Sequence, residues 1–437
     1  MRRLVICVAM LVALGCKKEE VSSEPLDTMS TDTMADTMGT GATMTSATPV
    51  SETGTFGTSG TSSPPPSPIA PRPSDAMLPP VAMRPPPATT TGPAIVEVKL
   101  RDYAKIPVYY ATTRMVADHD DRNVYGSDRG STQYGVSWVS IPRAHEAGEL
   151  EEPSVFTLTF REDPAKHVVL MEVKAMPKNR WYENLNASIA AGRAAQAFVF
   201  IHGYNVAFAD AARRTAQIKY DLGFAGPAIL FSWPSHGRES LYLADEANAE
   251  WSAPRFADFL VELRRRTGAT TIHLIAHSLG NRVLSRALER IDLDPTITPK
   301  PKFSQIVLAA PDMDAEVFRE QLAPRMRRLA RGITLYGSSD DRAILASREA
   351  HQIARAGEGG DGLPVIDGID SIDVTGIDAS FLGHSYIGGV SVLGDVAQIL
   401  CEGKGIATRF GIAKSRPAWK LVKSQKRRPV QPCHAAS

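Results

Sequence analysis

Cysteine is scarce in this chain: four residues in 437, at Cys7, Cys16, Cys401 and Cys433. None sits at a metal-ligand spacing, so neither a zinc motif nor a dense disulfide scaffold is expected. Aromatic residues make up 7% of the chain, with five tryptophans, which leaves no stacking stripe for single-stranded nucleic acid. Neither sign of charge dominates: the formal net charge is +1, so no general attraction to nucleic acid follows. A run long enough to cross a bilayer as a mature helix is also missing, because the apolar stretch Leu4 to Leu14 is too short. No cofactor or metal is expected.

What is present begins with a targeting pattern. Arg2 and Arg3 precede that apolar stretch, which ends at Ala13-Leu14-Gly15-Cys16. Small residues before a cysteine resemble the lipobox of bacterial lipoproteins. The resemblance implies a signal peptide over 1–15, a lipid on Cys16 and attachment to a membrane through it. Lys17 after the cysteine implies the outer membrane of the cell envelope. From 16 to 93 the chain repeats Asp-Thr-Met at Asp27, Asp32 and Asp36, then turns to Thr, Ser, Gly and Pro, with triple prolines at Pro64 and Pro85. Such a composition predicts a disordered, partly extended tether. Residues 94–412 are expected to form the folded domain. Over 413–437 a basic tail is expected, carrying Lys414, Arg416, Lys420, Lys423, Lys426, Arg427 and Arg428. Such a run is commonly solvated, with anionic lipid or cell wall as possible contacts. Cys401 and Cys433 could pair in an oxidising envelope or stay free.

Within the domain, Ile106–Thr112, Tyr134–Ile141, Val155–Phe160 and His167–Val173 read as closely spaced strands, an antiparallel start to a sheet. Strand–helix alternation follows. The strands are Ala197–Ile201, Ala228–Phe231, Thr271–Ala276, Gln305–Ala310, Ile333–Tyr336 and Ser371–Val374. Helices are predicted from Ala207 to about Leu222, over Ser252–Arg266, and over Val283–Arg290. Short apolar strands between amphipathic helices predict an α/β fold, with a mostly parallel central sheet covered on both faces. In such sheets the chemistry gathers beyond the carboxyl ends of the strands.

One of those ends carries Ala276-His277-Ser278-Leu279-Gly280, a serine between small residues at a strand-to-helix corner, the pattern of a nucleophile elbow. An elbow serine needs a base, and an acid to orient the base; in this architecture the order is serine, acid, histidine. Three histidines lie downstream. His434 is in the tail and His351 belongs to a helix surface. His384, in the Gly-flanked run Phe381–Tyr386, is preferred as base. Asp341, just past the strand Ile333–Tyr336, is preferred as acid; Asp340 is its rival and Asp312 the third choice, with helix capping as its alternative role. The oxyanion calls for backbone donors, assigned to the amides of Leu279 and Tyr204, with Gly203 freeing the turn. His202 reads as a structural hydrogen-bonding residue, and His277 as one that orders the elbow. The segment Ser235–Trp251 could shelter the site, although its charges mean that it does not by itself point to a lipid substrate.

Five ordered blocks, Phe200–Asn205, Leu230–Pro234, Ile275–Arg282, Leu308–Asp312 and Gly383–Tyr386, resemble a bacterial branch of the α/β-hydrolase superfamily. The likeness runs from about Ile106 to Leu400 and takes in Tyr110–Arg114 and Arg355–Glu358. It implies the α/β-hydrolase fold and a Ser–His–Asp hydrolase of the esterase/lipase-like kind acting through an acyl-enzyme; it does not supply the substrate, for which a small-molecule or lipid ester is expected, with thioesters or amides as alternatives. A non-catalytic lipoprotein using this fold to bind a partner or wall component is the alternative.

Overall fold

A computed structural model describes residues 92–117, 124–153, 161–192, 194–377, 387, 389–422 and 433. The chain enters at Gly92, where Ile95 exchanges hydrogen bonds with the Ser188 hydroxyl, and forms the two-residue strand β1 (Val98–Lys99). Two long strands follow, β2 (Tyr103–Val116) and β3 (Tyr125–Pro142), then β4 (Val169–Ala175). These four pair antiparallel with one another. The expected strand Val155–Phe160 lies outside the described residues.

Helix α1 (Lys178–Ala191) then crosses to β5 (Gln196–Ile201). From there the chain runs through α2 (Phe208–Asp221), β6 (Ala228–Ser232), α3 (Tyr242–Arg266), β7 (Thr271–His277), α4 (Gly280–Leu293) and β8 (Phe303–Ala309). A short turn α5 (Ala315–Val317), a π-helical turn and α6 (Ala323–Leu329) lead to β9 (Ala330–Gly337). Then come α7 (Arg342–His351), β10 (Asp370–Asp373), α8 (Val390–Leu400), and the edge strands β11 (Ile412–Lys414) and β12 (Trp419–Leu421).

All the strands join one sheet in the order β11-β12-β10-β9-β8-β7-β5-β6-β2-β3-β4, with β1 on β2. From β12 to β2 every neighbouring pair is parallel. The predicted mostly parallel sheet with an antiparallel beginning is therefore present: this is the α/β-hydrolase fold. It continues to Leu421, past position 412, where the sequence was divided into domain and tail.

Alternation along the strands explains the two layers. Val199 and Ile201, with Leu274 and Ala276, face α1, α3 and α4, where Trp181, Phe256, Phe259 and Leu284 pack. Phe198, Phe200 and Ile275 point the other way, onto Phe208 and Ala212 of α2 and Val392 and Val396 of α8. Successive side chains of a strand point to opposite faces, so each strand supplies both cores. Burying each such aliphatic or aromatic side chain contributes roughly 1.5–3 kcal/mol.

The central strand β5 lies between β7 and β6. The chain leaves β5 through α2 toward one edge and passes back through α3 to β7 on its other side. Sheets of this kind bind ligands at the carboxyl ends of the strands, at such a reversal. The opposite, amino end is where the chain enters: Val98 pairs with Lys105, below the level at which Val108 meets Ala228, the first residue of β6.

Candidate functional site

Ser278 stands at the carboxyl end of β7, one residue beyond the strand, and has φ of 51°, in the left-handed region that a non-glycine residue adopts only under constraint. Its neighbours supply that constraint. The Ser278 amide donates to the Ala309 carbonyl (3.0 Å), and its carbonyl accepts from the Asn281 amide (3.0 Å). The buried Asn281 side chain adds bonds to the Ser278 carbonyl (3.0 Å) and the Ala309 carbonyl (2.9 Å). A residue without a side chain is required at 280. A β-carbon on Gly280 would lie 2.6 Å from the Ile201 carbonyl oxygen and closer still to that of His202. Leu279 directly precedes α4, where the first amides of a helix have no intrahelical acceptor.

Beyond β5, the loop His202–Val206 packs on this corner, with Gly203 against Ser278 and His277. His202 is fully buried. Its ring stacks on Trp233 (centroids 5.0 Å, planes 10° apart), whose indole donates to the His202 carbonyl (2.8 Å). Its Nδ1 meets the Gly203 carbonyl at 2.8 Å and its Nε2 the Ser232 hydroxyl at 3.2 Å. Burial, and then the nearby Arg114 charge, push its pKa well below the ordinary histidine value. A neutral ring with both nitrogens engaged is a structural group, as its sequence context suggested.

Asp341 and Asp340 both follow β9, but only Asp341 is buried. Its Oδ1 caps α7 by accepting the amides of Ala343 and Ile344 (3.1 Å each). Asp340 is exposed and accepts the Gly376 amide at 2.9 Å. Asp312, after β8, sits in a buried hydrogen-bond network rather than capping a helix. It accepts from Tyr242 Oη (2.6 Å), Ser347 Oγ (2.7 Å) and Arg355 Nε (2.9 Å), and helix capping falls to Asp314. Burial alone would raise the Asp312 pKa; Arg355 and the two hydroxyls reverse this and hold it below the ordinary carboxylate value.

His351 is the last residue of α7. Its Nδ1 meets the Ser347 carbonyl at 2.7 Å and its Nε2 meets Glu246 at 3.0 Å. Both nitrogens are therefore engaged by groups other than Ser278. His384, the preferred base, lies outside the described residues. The structure thus brings Ser278, Leu279, Gly203 and Tyr204 to the carboxyl ends of β7 and β5, with Asp341 at that of β9.

The segment 235–251, read as a possible shelter, belongs largely to α3 and is tied down. Tyr242 bonds Asp312, its ring packs edge-on against Tyr204 (5.2 Å), and Asp245 is fully buried. Leu243 is exposed. Two residues that the sequence does not mark as part of the site also support the β5 loop: Arg114 near the end of β2 and Asp245 in α3. Buried charges read as surface residues in a sequence, so only their neighbours reveal them. Elsewhere, Cys401 and Cys433 form a disulfide with Cα atoms 4.9 Å apart, which closes the question of their pairing. Among the described residues no group of three or more His, Cys, Asp or Glu could hold a metal, and no helix is long and apolar enough to cross a membrane.

Residues 178–394, just under half of the chain, match a family described as "Alpha/beta hydrolase of unknown function (DUF900)". No curated protein matches. Among solved structures, one similar chain is a lipase-esterase related protein from Clostridium acetobutylicum ATCC 824, with 11% identity and a TM-score of 0.25 over 47% of this chain and 93% of that one. Another is an uncharacterised protein from Capnocytophaga ochracea DSM 7271, with 12% identity and a TM-score of 0.29 over 49% of this chain and 58% of that one. The sheet topology and the family match together support an α/β-hydrolase superfamily protein.

Proposed function

We propose that this chain is a serine hydrolase that cleaves carboxylic esters. The observation that carries the reading is Ser278: a buried serine at positive φ, on the turn from β7, next to the central strand, into α4, beside the topological reversal of the sheet. Strain of this kind persists where surrounding structure over-determines it, and it projects a nucleophile.

In the proposed reaction His384, taken from its place in the sequence, accepts the Ser278 proton as Oγ attacks the ester carbonyl. Asp341 orients the imidazole and stabilises its charged form. The amides of Leu279 and Tyr204 receive the developing oxyanion. His384 then protonates the departing alkoxide, the alcohol leaves, and an acyl-Ser278 ester remains. Water repeats the sequence and releases the acid. Support for Tyr204 comes from the bonds beside it: the Asn205 amide is taken by Asp245 (3.2 Å) and the Val206 amide by Ser235 Oγ (3.1 Å). The test is covalent labelling of the purified protein by a fluorophosphonate, with turnover of a short p-nitrophenyl ester. Both are expected to vanish in Ser278→Ala; a folded Ser278→Ala that keeps its turnover overturns the proposal.

Envelope placement through a lipid on Cys16 belongs to the same proposal. It rests on the basic start, the short apolar run and the small residues before Cys16. Metabolic labelling with radioactive palmitate tests it: label should enter the wild-type chain and be absent from Cys16→Ser.

A further inference from the structure

Arg114 and Asp245 are two oppositely charged side chains, 1% and 0% exposed, from β2 and α3. They do not pair directly. Both bond the two loops that follow β5 and β6, Arg114 reaching β3 and the end of β6 as well. Arg114 donates to the Val206 carbonyl (2.7 Å), the Ser235 carbonyl (2.8 Å), the Ser232 hydroxyl (2.9 Å) and the Gly126 carbonyl (3.0 Å). Asp245 accepts the amides of Asn205 (3.2 Å) and His236 (2.8 Å), the Ser235 hydroxyl (2.5 Å) and the His236 ring (2.7 Å). Ser235 joins the two sets: its hydroxyl accepts the Val206 amide (3.1 Å) while donating to Asp245.

These bonds hold residues 205 and 206 from both sides, at the carbonyl and at the amides. Asn205 is kept at φ of 56°, a conformation with an energetic cost for a residue with a side chain. The residue immediately before it is Tyr204. Burying an unpaired guanidinium or carboxylate is costly, and fold stability alone could be met by apolar side chains of similar size. Charged groups here supply direction that apolar packing lacks. Four acceptors arrayed around one planar cation, one on each loop and two on strands β6 and β3, fix where the two loops meet.

We propose that Arg114 and Asp245 are positioning residues which together mould the β5 loop, so that the Tyr204 amide points at the oxyanion of the reaction proposed above. Neither touches substrate. Both act through the backbone of 204–206, and Ser235 is the bridge between them. The inference rests on the serine-hydrolase reading, and its test separates the two.

The experiment compares wild type with Arg114→Lys, Asp245→Asn and Ser235→Ala in the full chain, using p-nitrophenyl acetate turnover, the second-order rate of fluorophosphonate labelling, and thermal melting. Wild type must first turn over and label at Ser278; failure there removes the hydrolase reading itself. With that control met, the variants should lose kcat by about 10²-fold, the scale of a displaced oxyanion donor. Labelling should slow in parallel, and KM should stay within about threefold, because ground-state binding is untouched. A merely structural role would lower the melting temperature and leave kcat per folded molecule unchanged, which overturns the inference. So would an equal kcat in Ser235→Ala and wild type. That variant deletes a single oxygen and therefore decides the matter if the charge-altering variants fail to fold.

Discussion

Gly203 lies so close to Ser278 that a β-carbon on the glycine would come within 2.8 Å of the serine Cβ and 3.0 Å of His277 Nδ1. The serine cannot yield. Ser278 is held at positive φ by bonds to Ala309 and Asn281, and His277 is the last residue of a paired strand. Gly203→Ala should therefore move the β5 loop away from the elbow. We expect at least about a 10²-fold loss of ester turnover, the scale of a displacement of about 1 Å in a reacting group. Steady-state kinetics on a variant of unchanged melting temperature checks it.

Asp341 and Asp312 can be told apart by the same substitution. Asparagine caps a helix about as well as aspartate, so Asp341→Asn should keep α7 and the fold while depriving the proposed base of its anionic partner. Turnover should fall by about 10⁴-fold. Asp312→Asn instead strands the Arg355 guanidinium beside a neutral amide, and removing one member of a buried pair costs roughly 3–5 kcal/mol. That variant should melt at lower temperature and hydrolyse esters at a similar rate per folded molecule. Measuring both quantities on both proteins distinguishes the assignments.

His145 gives a stability signature in pH. Burial alone would lower its pKa, but hydrogen bonds to Asp221 (2.9 Å) and Glu151 (2.8 Å) outweigh this and raise it from 6.5 to about 9. A folded-state pKa above the unfolded one means that the folded protein holds the proton more tightly. The contribution is fully present below pH 6.5 and is lost as pH climbs through about 9. Denaturant unfolding across that window should show stability falling in wild type, with a shallower decline in His145→Gln.

The Cys401–Cys433 bond spans 32 positions and closes a loop containing β11 and β12. In the chain-entropy account a loop of this size stabilises by roughly 3–4 kcal/mol. Cys433→Ser should lower the melting temperature, and a reducing agent should do the same to wild type while leaving the variant unaffected.

Much of the parallel sheet was legible because its strands are short, apolar and separated by turn signals. The elbow was legible because its geometry demands small residues at 276 and 280. Helix α1 was not. Its Trp181, Leu185 and Ile189 recur at four-residue spacing, but Asn179, Asn184 and Asn186 are weak helix formers. Those asparagines are used in tertiary contacts, such as Asn186 with the Arg266 carbonyl (2.9 Å). The strands β11 and β12 each have only three residues, and β12 owes its identity to pairing with β10. Composition alone made that stretch a basic tail. Arg114, Asp245 and Asp312 show a further limit: a charged residue in a sequence gives no sign of whether water or another side chain will satisfy it.

The entry of the chain at Gly92 sets a polarity for anything attached upstream. Ile95 and β1 lie at the amino pole of the strands while Ser278 stands at the carboxyl pole, so whatever is joined just before residue 92 meets the domain at the end opposite the nucleophile. A bulky fusion joined at that end should therefore spare access for ester substrates.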